Sequence, residues 1–446
     1  MIFNNLSSVS YASIFRISLP IIGSSLSVLF IGLVDLYFVG RLSAAAIMAT
    51  SIGVSVWWTI AYFFDGIRSS MAVMVSSKMG RNSPELLQGL LNSGIFLATT
   101  SGLIFAILSP QIASFTANFV SCDAEVITLS EQFLKILLPC APLCFIMFAV
   151  EGFFRGIGEP FVATILSGVV LIVSIILDVL LINGRLGFSP MGALGAAWAT
   201  SIAHAIGGIG SILFILFRKK SKIHIAPFAG FLGFFRKFAK SSFDVGLYSG
   251  SVNLAMLLFT AFLKKSGTVV QAAHQVAYEI FNIAFLLPMA FMVTASILVG
   301  FFIGRNDYDF AKESFTKILK FALILTGFVS IFTFVFASNL ANFFAESDAE
   351  VVALATLAIK IITINQLLSA IALCLRGALI GLGCTSFVRY IGLAIPVVVF
   401  IPLSYLFIVV LNGGIIGGYI ALTTWTFVTC LAFGPKLYLE FKKHCD

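Results

Sequence analysis

The sequence predicts an all-α membrane protein: twelve transmembrane helices, built as two parallel six-helix bundles related by a pseudo-two-fold axis along the membrane normal. Three observations carry this. The 446 residues are 60% hydrophobic and only 10% charged, with a mean hydropathy of +1.08, more apolar than the surface of a soluble globular chain tolerates. Gly, Pro and charged clusters cut the chain into about twelve stretches of the ~20 or more apolar residues that a spanning helix needs. Landmarks of the first half also return in the second at one offset, which marks an internal duplication.

The first six helices are predicted at Ile14–Val39, Ala45–Ser76, Leu86–Leu108, Ile127–Phe154, Phe161–Ile182 and Gly192–Phe217. Their breaks are, in order, Gly40-Arg41, the Lys78 to Asn82 turn, Ser109-Pro110, the Arg155 to Pro160 turn, Asn183-Gly184 and the basic run from Arg218. The second six are predicted at Ser241–Phe262, Val270–Ile303, Phe315–Phe336, Val352–Ile380, Phe387–Leu411 and Ile415–Leu437. The chain thus divides into a lobe at 1–217, a basic connection at 218–240 and a second lobe at 241–446. The first apolar stretch is too long for a cleavable signal peptide, so none is expected.

DAEV at 123–126 recurs at 348–351. Gly80-Arg81-Asn82 recurs as Gly304-Arg305-Asn306, and Gly152, Gly156 and Gly158 recur as Gly377, Gly381 and Gly383, all at an offset of 224 or 225. An even number of helices in each half starts the second half on the same side as the first, so the repeats are parallel. A substrate path between the halves, opened by rocking one bundle against the other, is the expectation for such a transporter.

The net charge of +8 does not point to nucleic acid, because its distribution follows topology. The connection after helix 6 carries Arg218, Lys219, Lys220, Lys222, Arg236, Lys237 and Lys240 without an acid. With Lys78, Arg81, Arg155, Arg305 and Lys312, its face of the membrane collects twelve basic residues against four (Arg41, Arg185, Lys264, Lys265) opposite. Both termini are therefore expected in the cytoplasm. The stretch GFLGFFRKFAK suits an amphipathic linker helix against anionic lipid. Seven scattered cysteines, without metal-ligand spacing, imply neither a disulfide framework nor a zinc site.

Two carboxylates stand deep in apolar runs, Asp35 in LFIGLVDLYFVG and Asp178 in SIILDVLLI, where an ionised group costs ~2.5–3.5 kcal/mol or more. Ser174 lies one turn before Asp178 on the same face. Burial disfavours the charged form of a carboxyl and a close second carboxyl adds to this, so such a pair can take up a proton near neutral pH or hold Na⁺ when ionised. The alternative is a structural hydrogen bond from each Asp to a neighbouring helix. At the repeat offset Asp35 maps to Phe259 and Asp178 to Leu403, so the shared template does not require acid there.

Asp65 and Arg68 are three apart and pair along one face of helix 2, with Arg68 either a structural partner or a tuner of a nearby acid. Glu151 and Glu279 are open between structure and pathway. His204 and His274 have no ligand spacing and are expected as satisfied core or interface histidines. The 47 Phe face lipid, fill the bundle or favour amphipathic cations through cation–π contact.

VDLYFVGRLSAAAIMATSIG, EGFFRGIGEP and LDVLLINGRLGFSPMGALGAAWAT together resemble the multidrug and toxic compound extrusion (MATE) family over nearly the whole chain. Arg68 in IRSSMAVMVSSKMG is similar to the arginine of the family's DinF-like branch. That resemblance implies coupling acids on helices 1 and 5, the positions of Asp35 and Asp178, with Ser174 standing where many members have Asn. The NorM-like branch uses acids in the second half, where helix 10 here offers Asn365, Gln366 and Ser369. The resemblance further implies a monomer in the bacterial inner membrane, in contact with membrane lipids. It would export organic cations or other amphipathic compounds, coupled to H⁺ or Na⁺ and without a cofactor. A lipid-linked precursor flippase of the same superfamily is the nearest rival, although such members commonly have two more helices and a cationic cavity. An intramembrane aspartyl protease is disfavoured, since no Gly-x-Gly-Asp occurs and neither Asp follows Tyr.

The charge count makes a testable statement. A membrane-impermeant thiol reagent applied to whole cells should modify a single cysteine introduced near 123 and spare one at 218–222, and the opposite pattern would invert the topology.

Overall fold

The computed structural model describes residues 10–40, 42–120, 123–217, 231–344 and 349–443. Among them there is no strand. The first half forms α1 (Tyr11–Val39), α2 (Ala44–Gly80), α3 (Leu87–Ile107), α4 (Ser109–Val120), α5 (Ala124–Leu137), α6 (Ala141–Gly156), α7 (Pro160–Leu181) and α8 (Ala193–Phe217). The second forms α9 (Phe231–Lys264), α10 (Thr268–Gly304), α11 (Tyr308–Val335), α12 (Ala337–Phe344), α13 (Ala349–Gly381), α14 (Thr385–Ile395), α15 (Ile401–Ser404) and α16 (Gly414–Lys442). Twelve spans are long and apolar enough to cross a membrane, with α5 and α6 in one span and Thr385–Val410 in another.

Differences from the sequence expectation have local causes. Helix 4 is divided because Pro139 and Pro142 lack the N–H that an unbroken α-helix needs, and a 3₁₀ turn at Leu138–Cys140 bridges the gap. Pro396 and Pro402 similarly disturb helix 11, where Pro396–Phe400 and Tyr405–Val410 are wound as π-helix. The extra helices α4 and α12 follow helices 3 and 9. Residues 231–240, assigned from sequence to the basic connection, are the opening turns of α9, while 218–230 lie outside the described residues.

The repeat is written in the backbone. Asn82 and Asn306 both adopt left-handed φ, 52° and 60°, and Gly158 and Gly383 both sit at 81°. Asn tolerates this region and Gly enters it without steric cost, so the same turns close the same helices twice. In the first DAEV, Asp123 caps α5 by accepting from Glu125 N at 2.9 Å. In the second copy α13 starts at the equivalent alanine, Ala349, with Asp348 outside the described residues.

The chain forms two compact units, 23–79 with 83–246 and 2–22 with 80–82 and 247–446. The crossing points Ile22 and Gly246 are repeat equivalents, so the first helix of each half begins in the other half's unit. A hydroxyl pair links each exchanged segment to its unit: Ser70 with Ser241 at 2.9 Å in the first, Ser18 with Thr294 at 3.0 Å in the second.

Within the first unit α6 is the axis, buried along almost its whole length and packed by α3, α7 and α8. In the second, α10 and α13 play that part. Hydrocarbon gives helices no hydrophobic drive to associate, so close packing of small residues matters. Gly152 sits against the Arg68 carbonyl and its equivalent Gly377 against that of Met292, approaches with no room for a Cβ. Patterning is inverted relative to a soluble helix: α11 turns Ile324, Phe328, Ile331 and Val335 outward and Thr326, Ser330 and Thr333 inward.

Gly152→Val and Gly377→Val should each destabilise the detergent-solubilised protein by about 1–3 kcal/mol of overpacking, read as a lowered thermal midpoint. Gly168→Ala, where a Cβ would meet nothing within 4 Å, should leave the midpoint unchanged or raise it.

Candidate functional site

The buried face of α7 is drawn by one helical stripe, Ser167, Val170, Ser174, Asp178 and Leu181. On α1 the corresponding stripe includes Ser24, Ile31, Asp35 and Val39. These stripes make Asp35 and Asp178 neighbours, each acting electrostatically on the other, and Thr200 of α8 adds a hydroxyl beside Asp35. Asp35 is 8% exposed and Asp178 fully buried. Among the described residues, Asp35 Oδ1, both Asp178 carboxylate oxygens and Ser174 Oγ have no hydrogen-bond partner. Buried polar atoms are normally satisfied, so four such oxygens on two facing helices need an explanation. A proton shared between the carboxyls, or a small cation bound by them, supplies one.

The predicted partners Asp65 and Arg68 do pair, and they belong to a separate cluster. Arg68 Nε donates to Asp65 Oδ1 at 2.6 Å and Nη1 to Glu151 Oε2 at 2.8 Å, with the Phe148 ring 4.5 Å from the guanidinium carbon. Ser167 donates to Glu151 Oε1 at 2.8 Å, so Glu151, fully buried, joins α2, α6 and α7. Arg155 Nη2 lies 3.9 Å from Glu151 Oε2 and donates to Ser24 of α1 at 2.9 Å. Arg155, counted from sequence as a charge at the membrane face, is 5% exposed inside the unit, because α6 continues through it to Gly156. Glu279 lies in the second unit, where Gln275 donates to it at 3.0 Å.

Three members of these sites escaped the sequence. Thr200, Ser24 and Ser167 are common residue types in apolar helices, and only helix packing singles them out. The buried histidines are satisfied as expected. His204 Nδ1 is 2.8 Å from the Thr200 carbonyl, an acceptor only, so that nitrogen carries the hydrogen. His274 Nδ1 meets the Tyr419 hydroxyl at 2.9 Å.

The second unit fills the equivalent places differently. Phe259, equivalent to Asp35, is buried among the rings of His274 and Phe400, each 5.4 Å from its own, and of Tyr419 at 6.3 Å. Glu151 is equivalent to Arg376 and Arg68 to Met292. Arg376 stacks 3.9 Å from the Tyr248 ring centre and donates to Ser249 at 3.1 Å. On α13, Asn365, Gln366 and Ser369 are buried, and Ser330 donates to Gln366 Oε1 at 3.2 Å. Among the described residues no group of three or more His, Cys, Asp or Glu is arranged to hold a metal ion.

Comparison with known proteins agrees with this architecture. The MatE family model matches residues 20–180 and again 247–406, one match in each half. The chain is 22% identical over 408 residues to a probable multidrug resistance protein NorM of Thermotoga maritima, covering 91% of this chain and 88% of the relative. It is 25% identical over 385 residues to the corresponding protein of Shewanella oneidensis, covering 85% and 83%. A solved MOP superfamily transporter from Pyrococcus furiosus shares the fold with a TM-score of 0.88 at 18% identity, covering 97% and 96%. An outward-facing multidrug resistance MATE family transporter superposes with a TM-score of 0.87, also at 18% identity and with the same coverage. With both halves matched, twelve apolar spans and a shared fold over nearly its whole length, the chain belongs to the MatE family, the multidrug and toxic compound extrusion transporters, and is a transporter rather than an enzyme.

Proposed function

We propose that the chain exports organic cations or other amphipathic compounds in exchange for H⁺ or Na⁺ by alternating access. Asp35 and Asp178 form the coupling site, with Ser174 as its polar neighbour. The observation that carries this is the facing pair of buried carboxylates, three of whose four oxygens lack partners among the described residues, placed where the other half has Phe259 and Leu403. The relatives' names as multidrug resistance proteins support the substrate class. The lobes expected from sequence at 1–217 and 241–446 move as the two compact units, whose bounds exchange the start of each half's first helix, and the connection through 218–240 joins them. The protein acts as a monomer in the inner membrane, with both termini and the basic connection facing the cytoplasm and anionic lipid.

The mechanism is one of linkage. A proton or Na⁺ entering between the carboxyls removes like-charge repulsion and satisfies orphaned oxygens, so it favours whichever arrangement of α1 and α7 keeps the pair close. Export follows when substrate favours the other arrangement, because each ligand shifts the equilibrium only by its differential affinity. A facing pair of buried acids in the first half, together with Arg68, favours the DinF-like branch. The relatives carry the NorM name, yet α13 offers no ionisable side chain among Asn365, Gln366 and Ser369 to couple in the second half. Asp65, Arg68 and Glu279 serve as secondary sites at most, since Asp65 and Arg68 bond within the Glu151 cluster and Glu279 with Gln275.

In sealed proteoliposomes, with H⁺ and Na⁺ gradients imposed separately, Asp35→Asn and Asp178→Asn should each reduce gradient-driven export of a fluorescent organic cation to the protein-free background. The double variant should cost scarcely more than either single one, as expected for groups acting as a unit. Phe259→Leu and Leu403→Ile should remain coupled. Wild-type transport by both Asp variants together with failure of Glu279→Gln would move coupling to the second half. Flipping of a labelled lipid-linked precursor without cation export would replace the efflux reading altogether.

A further inference from the structure

The two acids act directly on each other, and the Thr200 hydroxyl acts on Asp35. Among the described residues neither Asp178 oxygen nor Asp35 Oδ1 reaches a well-formed hydrogen bond. From α8 the Thr200 hydroxyl acts on Asp35, while Asp65 and Arg68 of α2 and Glu151 and Arg155 of α6 meet one another in their own cluster. The spacing of the pair therefore also depends on what holds α1 and α7 elsewhere along their length.

Both helices are tied to α6. Ser24 of α1 accepts from Arg155 Nη2 at 2.9 Å, and Ser167 of α7 donates to Glu151 Oε1 at 2.8 Å. Each serine stands eleven residues from the acid on its own helix. Eleven residues are three turns plus about 20°, so serine and acid share a face ~16 Å apart along a stiff helix. The two α6 side chains are one turn apart and 3.9 Å from each other. They are unequal ties. Glu151 is also gripped by Arg68, whereas Arg155 reaches α1 by one hydrogen bond and its buried Nε has no partner among the described residues.

The Arg155 tie falls at a particular place on α1. Ser24 is the second α1 residue of its unit and lies four residues after Pro20, which removes a backbone hydrogen bond from the helix. In the other unit Arg376, from the central helix α13, grips Tyr248 and Ser249, two and three residues past the equivalent crossing at Gly246. An arginine from the central helix thus takes hold of the entering helix in both units. In the first unit alone does that helix carry an acid of the pair.

We propose that Arg155 and Glu151 are positioning residues that hold α1 and α7 at a set offset, and that this offset fixes the spacing of Asp35 and Asp178. The inference rests on the proposal that those acids are the coupling pair. The weaker Arg155–Ser24 tie is the one that yields when α1 moves.

Ser24→Ala removes the tie without changing any charge. Ser27→Ala, whose hydroxyl bonds only its own helix at the Gly23 carbonyl, is the control. In Na⁺-free liposomes the pH profile of export should move towards acid by about half a unit in Ser24→Ala, a roughly threefold change in proton affinity, with the maximal rate kept. Ser27→Ala should superimpose on wild type. Arg155→Gln should be displaced in the same direction, and Arg155→Lys should recover most of the displacement. Proton uptake by the purified protein, followed through the infrared carbonyl band of protonated aspartic acid, reads the tie without transport. Displacement of that band by Ser24→Ala supports the tie even if Asp35→Asn stays coupled, an outcome that overturns only the coupling proposal. A band and a pH profile both unchanged in Ser24→Ala and in Arg155→Gln overturn the tie, as does a lowered maximal rate without displacement.

Discussion

A charge surrounded by hydrocarbon must find a partner, and the first unit is organised around that requirement. At Glu151 it is met in full: a fully buried carboxylate accepts from Arg68 and Ser167 and stands beside Arg155, so one side chain gathers α2, α6 and α7. At Asp178 it is left unmet. The contrast separates a charge that holds the bundle together from a charge with capacity to spare. Breaking a satisfied buried ion pair costs several kcal/mol because the remaining charge is stranded, so the Glu151 cluster supplies the rigid frame against which a movable carboxylate pair has meaning.

The duplication shows which features the backbone demands and which it merely accommodates. Left-handed Asn82 and Asn306, Gly158 and Gly383, and the close approaches of Gly152 and Gly377 recur because turn closure and helix contact leave no alternative. Side chains at equivalent buried sites are free to diverge in chemistry: Asp35 against Phe259, Asp178 against Leu403, Glu151 against Arg376. Where the first unit holds carboxylates, the second packs aromatic rings, with Phe400 stacked on Trp425 at 4.4 Å beside Phe259. One scaffold therefore carries buried carboxylates in one half and, at the equivalent places, an aromatic cluster and a buried arginine in the other.

Packing in both units relies on small residues and hydroxyls more than on apolar bulk. Lipid is as apolar as leucine, so outward Phe and Ile on α11 gain nothing by turning inward, and inward Ser330 and Thr333 find Gln366, Thr363 or a backbone carbonyl. Thr333 and Thr363 approach at 3.5 Å across α11 and α13, each also bonded within its own helix. The hydroxyl pairs Ser18–Thr294 and Ser70–Ser241 repeat that logic at the exchanged first helices.

Composition and apolar run length were enough to read twelve spans, because backbone groups in hydrocarbon leave only the helix as a solution. The duplication was legible because its landmarks are Gly, Asn and a capping Asp, residues tied to local backbone geometry. Asp35 and Asp178 stood out because acid inside an apolar run is costly wherever the helix goes, and Asp65–Arg68 because three residues along one helix is a local spacing. Tertiary structure alone decided that Arg155 is buried, that Glu151 binds three helices, that Thr200 faces Asp35, and that Ser24 and Ser167 are anchors. These facts depend on which faces of separate helices meet, and an isolated Ser or Thr in an apolar helix looks the same whether it bonds its own carbonyl or a charge on a neighbour.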